Sequence, residues 1–300
     1  MKTAFIINPI SGKRLRGSVR GERVNAFLER RKARGAVVWE TERAGHATEL
    51  VQRAIDSGVN RVVCIGGDGT INEVARELIG TSIEFGIVPM GSGNGLARFL
   101  GLPLTFDDAL EFAATHVSIR DIDTGEANGH AFINVMGLGF DAELGRRFNE
   151  SRVGGFWSYF KIGVRALFDY RSIRYVIEAN GSSSELNAYV VAIANSSQYG
   201  SNAYIAPDAA IDDGRLNLVT IEPTNPFRAF VIGLRMFNRS IYKSPLVEGI
   251  ESDKFVLRLP ENGFFHVDGE IFECGKMVTV VTHPRSLRVV ASNAGLKIAN

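Results

Sequence analysis

Residues 62–75 read VVCIGGDGTINEVA, and this stretch limits the possible fold more than any other. Val62 to Ile65 is a short apolar run rich in β-branched residues, which is typical of a buried strand. The run GGDGT then removes side chains at a tight turn. Apolar residues follow at helical spacing: Ile71, Val74, Ala75, Leu78 and Ile79. The pattern predicts a strand, a glycine turn and a helix that begins at a Thr70–Glu73 capping box.

A strand that meets a helix N-terminus through a glycine turn forms a natural anion site. Bare N–H groups at Gly67 and Gly69, together with the positive end of the helix dipole, favour a phosphate. The alternative is that the glycines only permit the turn. Asp68 argues against that alternative, because its carboxylate would repel a phosphate unless a cation lay between them, which indicates Mg²⁺.

The first 115 residues alternate predicted strands and helices, which indicates a parallel sheet with helices on its faces. From about residue 120 strands dominate, and many alternate apolar and polar residues as half-buried antiparallel strands do. We therefore predict a nucleotide-binding α/β domain over residues 1–124 and a β-sandwich domain over residues 125–284. The C-terminal segment, about residues 285–300, is expected to return to the first domain.

Within the second domain the pattern predicts eight strands and two helices. The predicted strands are residues 131–135, 175–179, 188–194, 216–221, 255–259, 264–267, 278–282 and 287–291. The predicted helices cover about residues 155–170 and 225–242.

Charge and cysteine content exclude some classes of protein. The net charge is +1, and 22% of the residues are charged, which gives no case for binding nucleic acid. Two cysteines in 300 residues form no disulfide framework, so we expect a reducing cytoplasm. The apolar run of MKTAFIINP is too short for a signal peptide, and no apolar stretch reaches the length of a membrane span.

All four strands of the first domain end in polar or glycine-rich loops. These are NPISGKR (8–14), TERAGHA (41–47), GGDGT (66–70) and PMGSGNGLAR (89–98). Loops at the carboxyl ends of parallel strands meet at one edge of the sheet, where ligands bind. Neither G-x-G-x-x-G nor G-x-x-x-x-G-K-[ST] fits them, so a nicotinamide dehydrogenase and a P-loop kinase both lose support.

These motifs resemble the diacylglycerol kinase catalytic domain superfamily, which includes bacterial soluble lipid kinases and sphingosine kinases. GGDGTINEVA, the upstream NPISGK, the downstream PMGSGNGLAR and the later HVDGE occur in the family's order over nearly the whole chain. The resemblance implies ATP-dependent phosphoryl transfer to a lipid hydroxyl. It also implies an NAD-kinase-like α/β domain followed by an antiparallel β-sandwich.

The resemblance implies which residues contact ATP. They are Asn8, Thr41, Gly66, Gly67, Asp68, Gly69, Thr70, Ile71, Asn72 and Ser92. Glu73 and Asn94 are expected to support these loops. Asp68 is also expected to take part in catalysis.

A second group of candidate catalytic residues lies in FFHVDGEIF, residues 264–272. The resemblance implies that a carboxylate here accepts the proton of the lipid hydroxyl. We assign that role to Glu270, with Asp268 positioning it or a metal, although the order could be reversed. The alternative is a hairpin turn, for which Asp-Gly is a strong signal. His266, two residues away, is expected to be structural.

Two metal positions are expected. Asp68 and Asp123 are the candidates for Mg²⁺, and the alternative for Asp123 is a turn residue. The resemblance also implies a structural Mg²⁺ in PDAAIDDGRLNL (207–218), held by the Asp213 carboxylate and by backbone carbonyls of the residues on either side, Ala210 and Arg215. The alternative there is a solvent-facing Asp-Gly turn.

One position departs from the family. Bacterial diacylglycerol kinases often carry aspartate after the asparagine of G-T-x-N-D, whereas this chain has Gly95 in GSGNGLA. The departure indicates a thinner carboxylate network around Mg²⁺ and leaves open a lipid other than diacylglycerol.

Residues 225–243 carry Arg228, Arg235, Arg239 and Lys243, and no acid. A basic amphipathic helix of this kind can lie on an anionic membrane surface, and the alternative is a helix packed on the sandwich with its basic residues exposed. Residues 154–170 are similar, either a cover for acyl chains or a core helix.

Our leading hypothesis is a cytoplasmic lipid kinase that works peripherally at the inner membrane face on a diacylglycerol- or sphingosine-like lipid. An NAD-kinase relative with a soluble substrate and a nucleotide-binding regulator without catalysis are the alternatives. The resemblance also leaves a homodimer open.

Overall fold

The structure is a computed structural model that describes residues 2–11, 19–33, 35–140, 142–143, 172–200 and 202–292. Its contacts divide the chain into two compact units. The first unit is Met1–Ile122 with Arg285–Asn300, and the second is Asp123–Pro284. The predicted helix at about 155–170 lies outside the described residues.

The first unit is a parallel sheet with helices. Its strands are β1 (Thr3–Ile7), β2 (Val37–Glu40), β3 (Arg61–Gly66) and β4 (Glu84–Pro89). Its helices are α1 (Val19–Lys32), α2 (His46–Asp56), α3 (Asp68–Leu78), α4 (Gly95–Phe99) and α5 (Phe106–Thr115). The strand order is β2-β1-β3-β4, with all pairs parallel. The last strand of the described residues, β18 (Met277–Val290), pairs parallel with β4 through Val289 and Phe85.

The central strand β3 is buried along its whole length, which is the reason for its continuous apolar run. Its first residue, Arg61, is buried too, and its guanidinium donates to Glu84 Oε2 at 2.7 and 2.9 Å. Burial raises the pKa of the Cys64 thiol well above its ordinary value. Cys64 is therefore a protonated core residue, as its apolar setting predicts.

The second unit holds the remaining strands. They are β5 (Ile119–Ala127), which begins in the first unit, β6 (His130–Phe132), β7 (Val135–Gly139), β8 (Ile173–Ala179), β9 (Ser182–Ala188), β10 (Val190–Ala194), β11 (Gln198–Gly200), β12 (Ala203–Tyr204), β13 (Leu216–Ile221), β14 (Val247–Ser252), β15 (Lys254–Arg258), β16 (Gly263–Val267), β17 (Glu270–Cys274) and most of β18. Helix α6 (Pro226–Phe237) and a 3₁₀ turn (Ile241–Lys243) lie between β13 and β14.

Two antiparallel sheets enclose the core of the second unit. One has the order β14-β13-β10-β7-β16-β17, and the other contains β18-β15-β8-β9. Strand residues alternate between two apolar clusters, as the two-residue period of a strand requires. Val191 and Ile193 of β10 belong to the core with Phe255 and Val280, whereas Ala192 belongs to a cluster on the other face. The predicted fold class, parallel α/β followed by an antiparallel β-sandwich, is confirmed.

Several elements differ from the prediction, and strands β5, β9, β11, β12, β14 and β17 were not predicted. The predicted strand 131–135 is split into β6 and β7, because the amides of residues 133–135 donate to a side chain rather than to a neighbouring strand. The predicted strands 278–282 and 287–291 are one strand, β18, despite Pro284. The predicted helix 225–242 ends at Phe237. Within the described residues no helix has the length and apolarity that a membrane crossing requires.

Candidate active site

The loop after β1 is tied to the loop after β3 in the first unit. Asn8 donates from its backbone N–H to Ile65 O at 2.9 Å and from Nδ2 to Thr70 Oγ1 at 2.8 Å. Ser11 Oγ accepts the N–H of Gly67 at 3.1 Å. The two motifs predicted to share one edge of the sheet therefore form one hydrogen-bonded structure. Sequence reasoning missed the role of Ser11, although its position in NPISGK was a usable signal.

Helix α3 begins at Asp68 after the N-cap Gly67, three residues earlier than a capping box at Thr70 predicts. Its first backbone bond runs from Ile71 N to Gly67 O, so the amides of Asp68, Gly69 and Thr70 have no carbonyl of their own helix to donate to. The Thr70–Glu73 capping box was a wrong prediction, because both side chains bond to other loops instead: Thr70 to Asn8, and Glu73 to the N–H of Gly45 at 3.2 Å.

The predicted phosphate donors differ in what surrounds them. The N–H of Gly67 is engaged with Ser11, so this amide is already paired. Gly69 faces open space, since a Cβ added there would meet no heavy atom of the described residues within 4 Å. The open amides therefore lie at Gly69 and its helical neighbours, at the positive end of the α3 dipole.

Asp68 fastens the GSGNG loop to the start of α3. Its Oδ2 accepts the N–H of Asn94 at 2.9 Å, and its Oδ1 accepts the N–H of Gly95 at 3.0 Å. Asn94 has a φ of 50° and donates from Nδ2 to Gly91 O at 2.9 Å. A Cβ at Gly91 would lie 3.0 Å from Asp68 Oδ2, so the approach of the two loops depends on the missing side chain. Ser92 is exposed in the same loop.

The loop after β2 joins the same edge. Thr41 donates its N–H to Ile7 O at 2.8 Å, next to Asn8. Gly45, with a φ of 75°, caps α2 and donates to Glu73 of α3. Four loops thus meet around the N-terminus of α3, as the sequence predicts for the carboxyl ends of parallel strands.

The HVDGE motif of the second unit is a two-residue hairpin turn. Asp268 has a φ of 49° and Gly269 a φ of 88°, and Val267 pairs with Glu270 across the turn. Positive φ at both central residues is the type I′ arrangement that matches the twist of paired strands. The hairpin alternative is thus correct as a description of the backbone. Gly269 donates its N–H to Nδ1 of buried His266 at 3.4 Å.

The two carboxylates of this turn have different surroundings. Asp268 Oδ2 accepts the N–H of Ile133 at 2.8 Å, and its Oδ1 accepts those of Asn134 and Val135, both at 3.0 Å. Glu270 is exposed. Asp268 is therefore held by backbone donors, and the Glu270 residue is more exposed than Asp268.

Buried Asn195 links this turn to Asp123 within the second unit. Asn195 Nδ2 donates to Asp123 O and to Ile133 O, both at 2.8 Å. Ser196 Oγ donates to Asn134 Oδ1 at 3.0 Å. The segment whose amides hold Asp268 is thus fixed by a second layer of polar residues. Sequence reasoning missed Asn195, although a polar pair directly after an apolar strand was a visible signal.

The expected metal ligands of the second unit lie in the turn at residues 210–215 and in strand β5, which bonds to that turn. Fully buried Asp123 accepts the N–H of Gly214 at 2.6 Å through Oδ2. Exposed Asp213 accepts the N–H of Arg215 at 2.9 Å through Oδ1. Ala210 lies in the same segment. Among the described residues no group of three or more histidine, cysteine, aspartate or glutamate side chains is placed to hold a metal ion.

The fold has the NAD-kinase-like architecture, as two solved structures show. A solved structure described as a diacylglycerol kinase from Bacillus anthracis matches with a TM-score of 0.76 at 20% identity, covering 98% of both chains. An NAD kinase from Archaeoglobus fulgidus in complex with ATP matches with a TM-score of 0.56 at 14% identity, covering 98% of this chain and 95% of that one.

Sequence comparison gives the family. Residues 2–127 match the model of the diacylglycerol kinase catalytic domain, and residues 134–291 match the YegS C-terminal NAD kinase beta sandwich-like domain. The "Probable lipid kinase YegS" of Escherichia fergusonii is 32% identical over 78% of each chain, and the "Diacylglycerol kinase" of Bacillus subtilis is 31% identical over 75% of each. The chain belongs to the diacylglycerol kinase catalytic-domain family and is a phosphotransferase.

Proposed function

We propose that this chain transfers the γ-phosphoryl group of ATP to a hydroxyl of a diacylglycerol- or sphingosine-like lipid at a cytoplasmic membrane surface. The observation that carries the proposal is the match of both domains to relatives that are named lipid kinases. Helix α6, which is basic and apolar, and the turn Asp268-Gly269-Glu270 favour a lipid over a soluble acceptor.

We propose that ATP binds around the N-terminus of α3. Phosphoryl transfer requires positioning and charge neutralisation more than covalent chemistry from the protein. The unpaired amides at the start of α3 favour phosphate oxygens. The other expected contacts belong to the four loops at this edge: Asn8, Thr41, the residues from Gly66 to Asn72, and Ser92.

Asp68 fits a magnesium site, because Mg²⁺ is usually held by one or two carboxylates together with waters and substrate phosphates. A carboxylate has about four lone-pair positions, and the N–H groups of Asn94 and Gly95 occupy one on each oxygen of Asp68, so capacity remains. Asp68 is the proposed ligand in the first unit, where Mg²⁺ would offset charge on the ATP phosphates when bound.

Asp123, which is fully buried and accepts the N–H of Gly214, is a proposed ligand in the second unit. Asp213, with carbonyls of Ala210 and Arg215, is the proposed site of a second, structural ion.

Glu270 is the proposed general base, with Asp268 as the residue that fixes the turn. The lipid hydroxyl oxygen bonds to the γ-phosphorus, the bond to the bridging oxygen of ADP breaks, and Glu270 takes the hydroxyl proton. The exposure of Glu270 and the three backbone N–H bonds that Asp268 accepts support this order over the reverse.

A transfer assay with labelled ATP tests the proposal. Diacylglycerol, sphingosine, ceramide, undecaprenol and NAD are offered separately with magnesium, and labelled products are identified by mass. Transfer to a lipid is the expected result. Transfer to NAD alone would reject the lipid, and binding of ATP without transfer to any acceptor would leave a regulator.

A further inference from the structure

Helix α6 packs on the second unit through one side only. Ile232 is 4% exposed and belongs to the same buried cluster as Ala192, Ala194 and Val219 on the outer face of the six-stranded sheet. The helix is also capped by its own sequence, since Asn225 Oδ1 accepts the N–H of Arg228 at 2.9 Å and proline occupies its first turn. Packing of Ile232 and capping by Asn225 therefore stabilise helix α6 without a binding partner.

The opposite side of α6 exposes four large apolar side chains. They are Phe227, Phe230, Leu234 and Phe237, with 75%, 50%, 52% and 50% of their surface exposed. Their spacing of three, four and three residues places them on one face, centred roughly opposite Ile232 at about 100° per residue. We call these four residues the α6 stripe.

The α6 stripe differs from the rest of the described surface. Nine large hydrophobic residues are exposed among the described residues, and four of them lie in this one helix. The other five are dispersed: Ile10, Leu104, Val117, Phe264 and Met277. Single exposed apolar residues are ordinary, whereas a contiguous patch marks an interaction surface.

Charge around the α6 stripe identifies its partner. Residues 223–247 contain four basic side chains and no acidic one, so this segment carries +4 in a chain whose net charge is +1. The remaining residues together carry −3. Arg228 and Arg235 lie about 130° from the centre of the stripe, at about 100° per residue, and so are nearer to the packed side of the helix than to the stripe. A segment of net positive charge that presents an exposed apolar face is suited to an anionic lipid interface.

We propose that the α6 stripe docks the chain on an anionic lipid bilayer, with the helix lying in the plane of the interface. The proposal rests on the proposed function, because a kinase for a lipid must reach a hydroxyl at the bilayer surface. A second copy fits this surface less well, since a two-fold contact would bring two segments of charge +4 together. Spanning is excluded, because 12 residues make a helix of about 18 Å against a hydrocarbon core of about 30 Å.

Vesicle sedimentation of the full chain tests the docking surface. Phosphatidylcholine vesicles with and without phosphatidylglycerol are compared for wild type and for the variant Phe227→Gln, Phe230→Gln, Leu234→Gln, Phe237→Gln. We expect binding that requires phosphatidylglycerol, and a loss of at least about tenfold in the variant. The matched control changes the dispersed residues Leu104, Val117 and Met277 to glutamine and is expected to bind as wild type.

A separate variant tests how much the basic residues contribute to vesicle binding. Arg228→Gln with Lys243→Gln is expected to weaken binding by about fivefold for each basic residue removed. The matched control removes two exposed lysines elsewhere in the same unit, Lys254 and Lys276, and should change binding little. Equal losses in both pairs would mean general attraction rather than a docking face, and would overturn the proposal.

A fluorescent label reports insertion directly. Both native cysteines, Cys64 and Cys274, are buried, so a Leu234→Cys variant can be labelled selectively with an environment-sensitive dye. We expect its emission to shift to the blue with phosphatidylglycerol vesicles, and a label at Met277→Cys to stay unchanged. No shift at position 234 while the protein sediments with vesicles would overturn the proposal.

Activity separates this proposal from the proposed function. A short-chain diacylglycerol dissolved as monomers should be phosphorylated equally by wild type and by the stripe variant. If wild type phosphorylates no lipid but binds vesicles through the α6 stripe, the proposed function fails and the docking surface stands. If lipid is phosphorylated but the stripe variant binds vesicles as wild type does, or if the stripe instead forms a dimer in sedimentation velocity, the docking surface fails.

Discussion

Asp68 in the first unit and Asp268 in the second perform the same local task in different settings. Each carboxylate accepts backbone N–H groups from a distant loop, two in the case of Asp68 and three in the case of Asp268. Asp68 opens a helix, so the helix dipole adds to the site. Asp268 lies in a tight hairpin turn, where no helix contributes.

The two turns differ in the residue that stands close to each aspartate. Next to Asp68 stands Gly69, whose missing side chain opens space before the amides of α3. Two residues after Asp268 stands Glu270, an exposed carboxylate. One turn thus leaves open space before the start of a helix, and the other is followed by an exposed carboxylate, while both aspartates hold the loops in place.

The largest expected effect is at Glu270. Glu270→Gln should lower kcat by about 10²–10⁴-fold, because that is the usual contribution of a general base, while the Kd for ATP stays near that of wild type. Steady-state kinetics with the lipid acceptor and equilibrium binding of ATP measure both. Glu273→Gln, an exposed glutamate in the same strand, is the matched control. Wild-type turnover in the Glu270 variant would exclude it as the base.

The two aspartates should differ in how much local stability they supply. Asp268→Asn should speed hydrogen exchange at residues 133–135 by about 30–100-fold, since hydrogen bonds to charged groups each contribute about 1.5–3 kcal/mol. Asp68→Asn should speed exchange at Asn94 and Gly95 by about 15–30-fold, because it holds two amides rather than three. Hydrogen-exchange mass spectrometry measures both.

Asp56→Asn, an exposed carboxylate at the end of α2, is the control for the exchange experiment and should leave both loops unchanged. If neither loop exchanges faster in its own variant, the aspartates do not hold the loops, and the comparison between the two turns fails.

A smaller effect is expected at Gly69. Gly69→Ala meets no atom of the described residues within 4 Å and needs no positive φ, so the fold should be kept. The new methyl would occupy the space before the α3 amides, and we expect ATP affinity to fall about tenfold, or about 1.4 kcal/mol. Isothermal titration with ATP and magnesium measures it. Gly275→Ala, also in open space, is the control. If Gly69→Ala bound ATP as tightly as wild type, a phosphate at this position would be excluded.

The smallest effect is a loss of folding stability at high pH, and it sets the pH range in which the other tests are done. Burial raises the pKa of Tyr242 to about 12. Because the pKa of the folded state lies above the ordinary value of about 10, this stabilisation is complete below about pH 10 and is lost as pH rises toward 12. With a partly exposed ring, the loss at pH 11 should be below about 1 kcal/mol. Urea unfolding of Tyr242→Phe should show a smaller decline between pH 9 and pH 11 than wild type; an identical decline would contradict this.

Local patterns predicted most of the elements. The β-branched run before GGDGT predicts β3, and the apolar spacing in residues 47–54 predicts the buried side of α2. The predicted boundaries of strands and helices were wrong where a side chain took the place of a backbone hydrogen-bond partner. Asp268 draws the amides of residues 133–135 out of a strand, and Asn8 and Gly45 engage Thr70 and Glu73 in place of a capping box. Such partners lie far away in the chain, so a local pattern cannot reveal them.

The sequence by itself determined the order of the elements, the two-domain organisation of the family, and the four loops at one edge of the parallel sheet. Periodicity and glycine placement carry that information, because they act within a few residues. Only the tertiary structure decided that Asp68 and Asp268 hold loops, that Gly67 is paired with Ser11, and that one side of α6 stays uncovered. These facts depend on contacts between residues distant in the chain, and spacing alone does not encode such contacts.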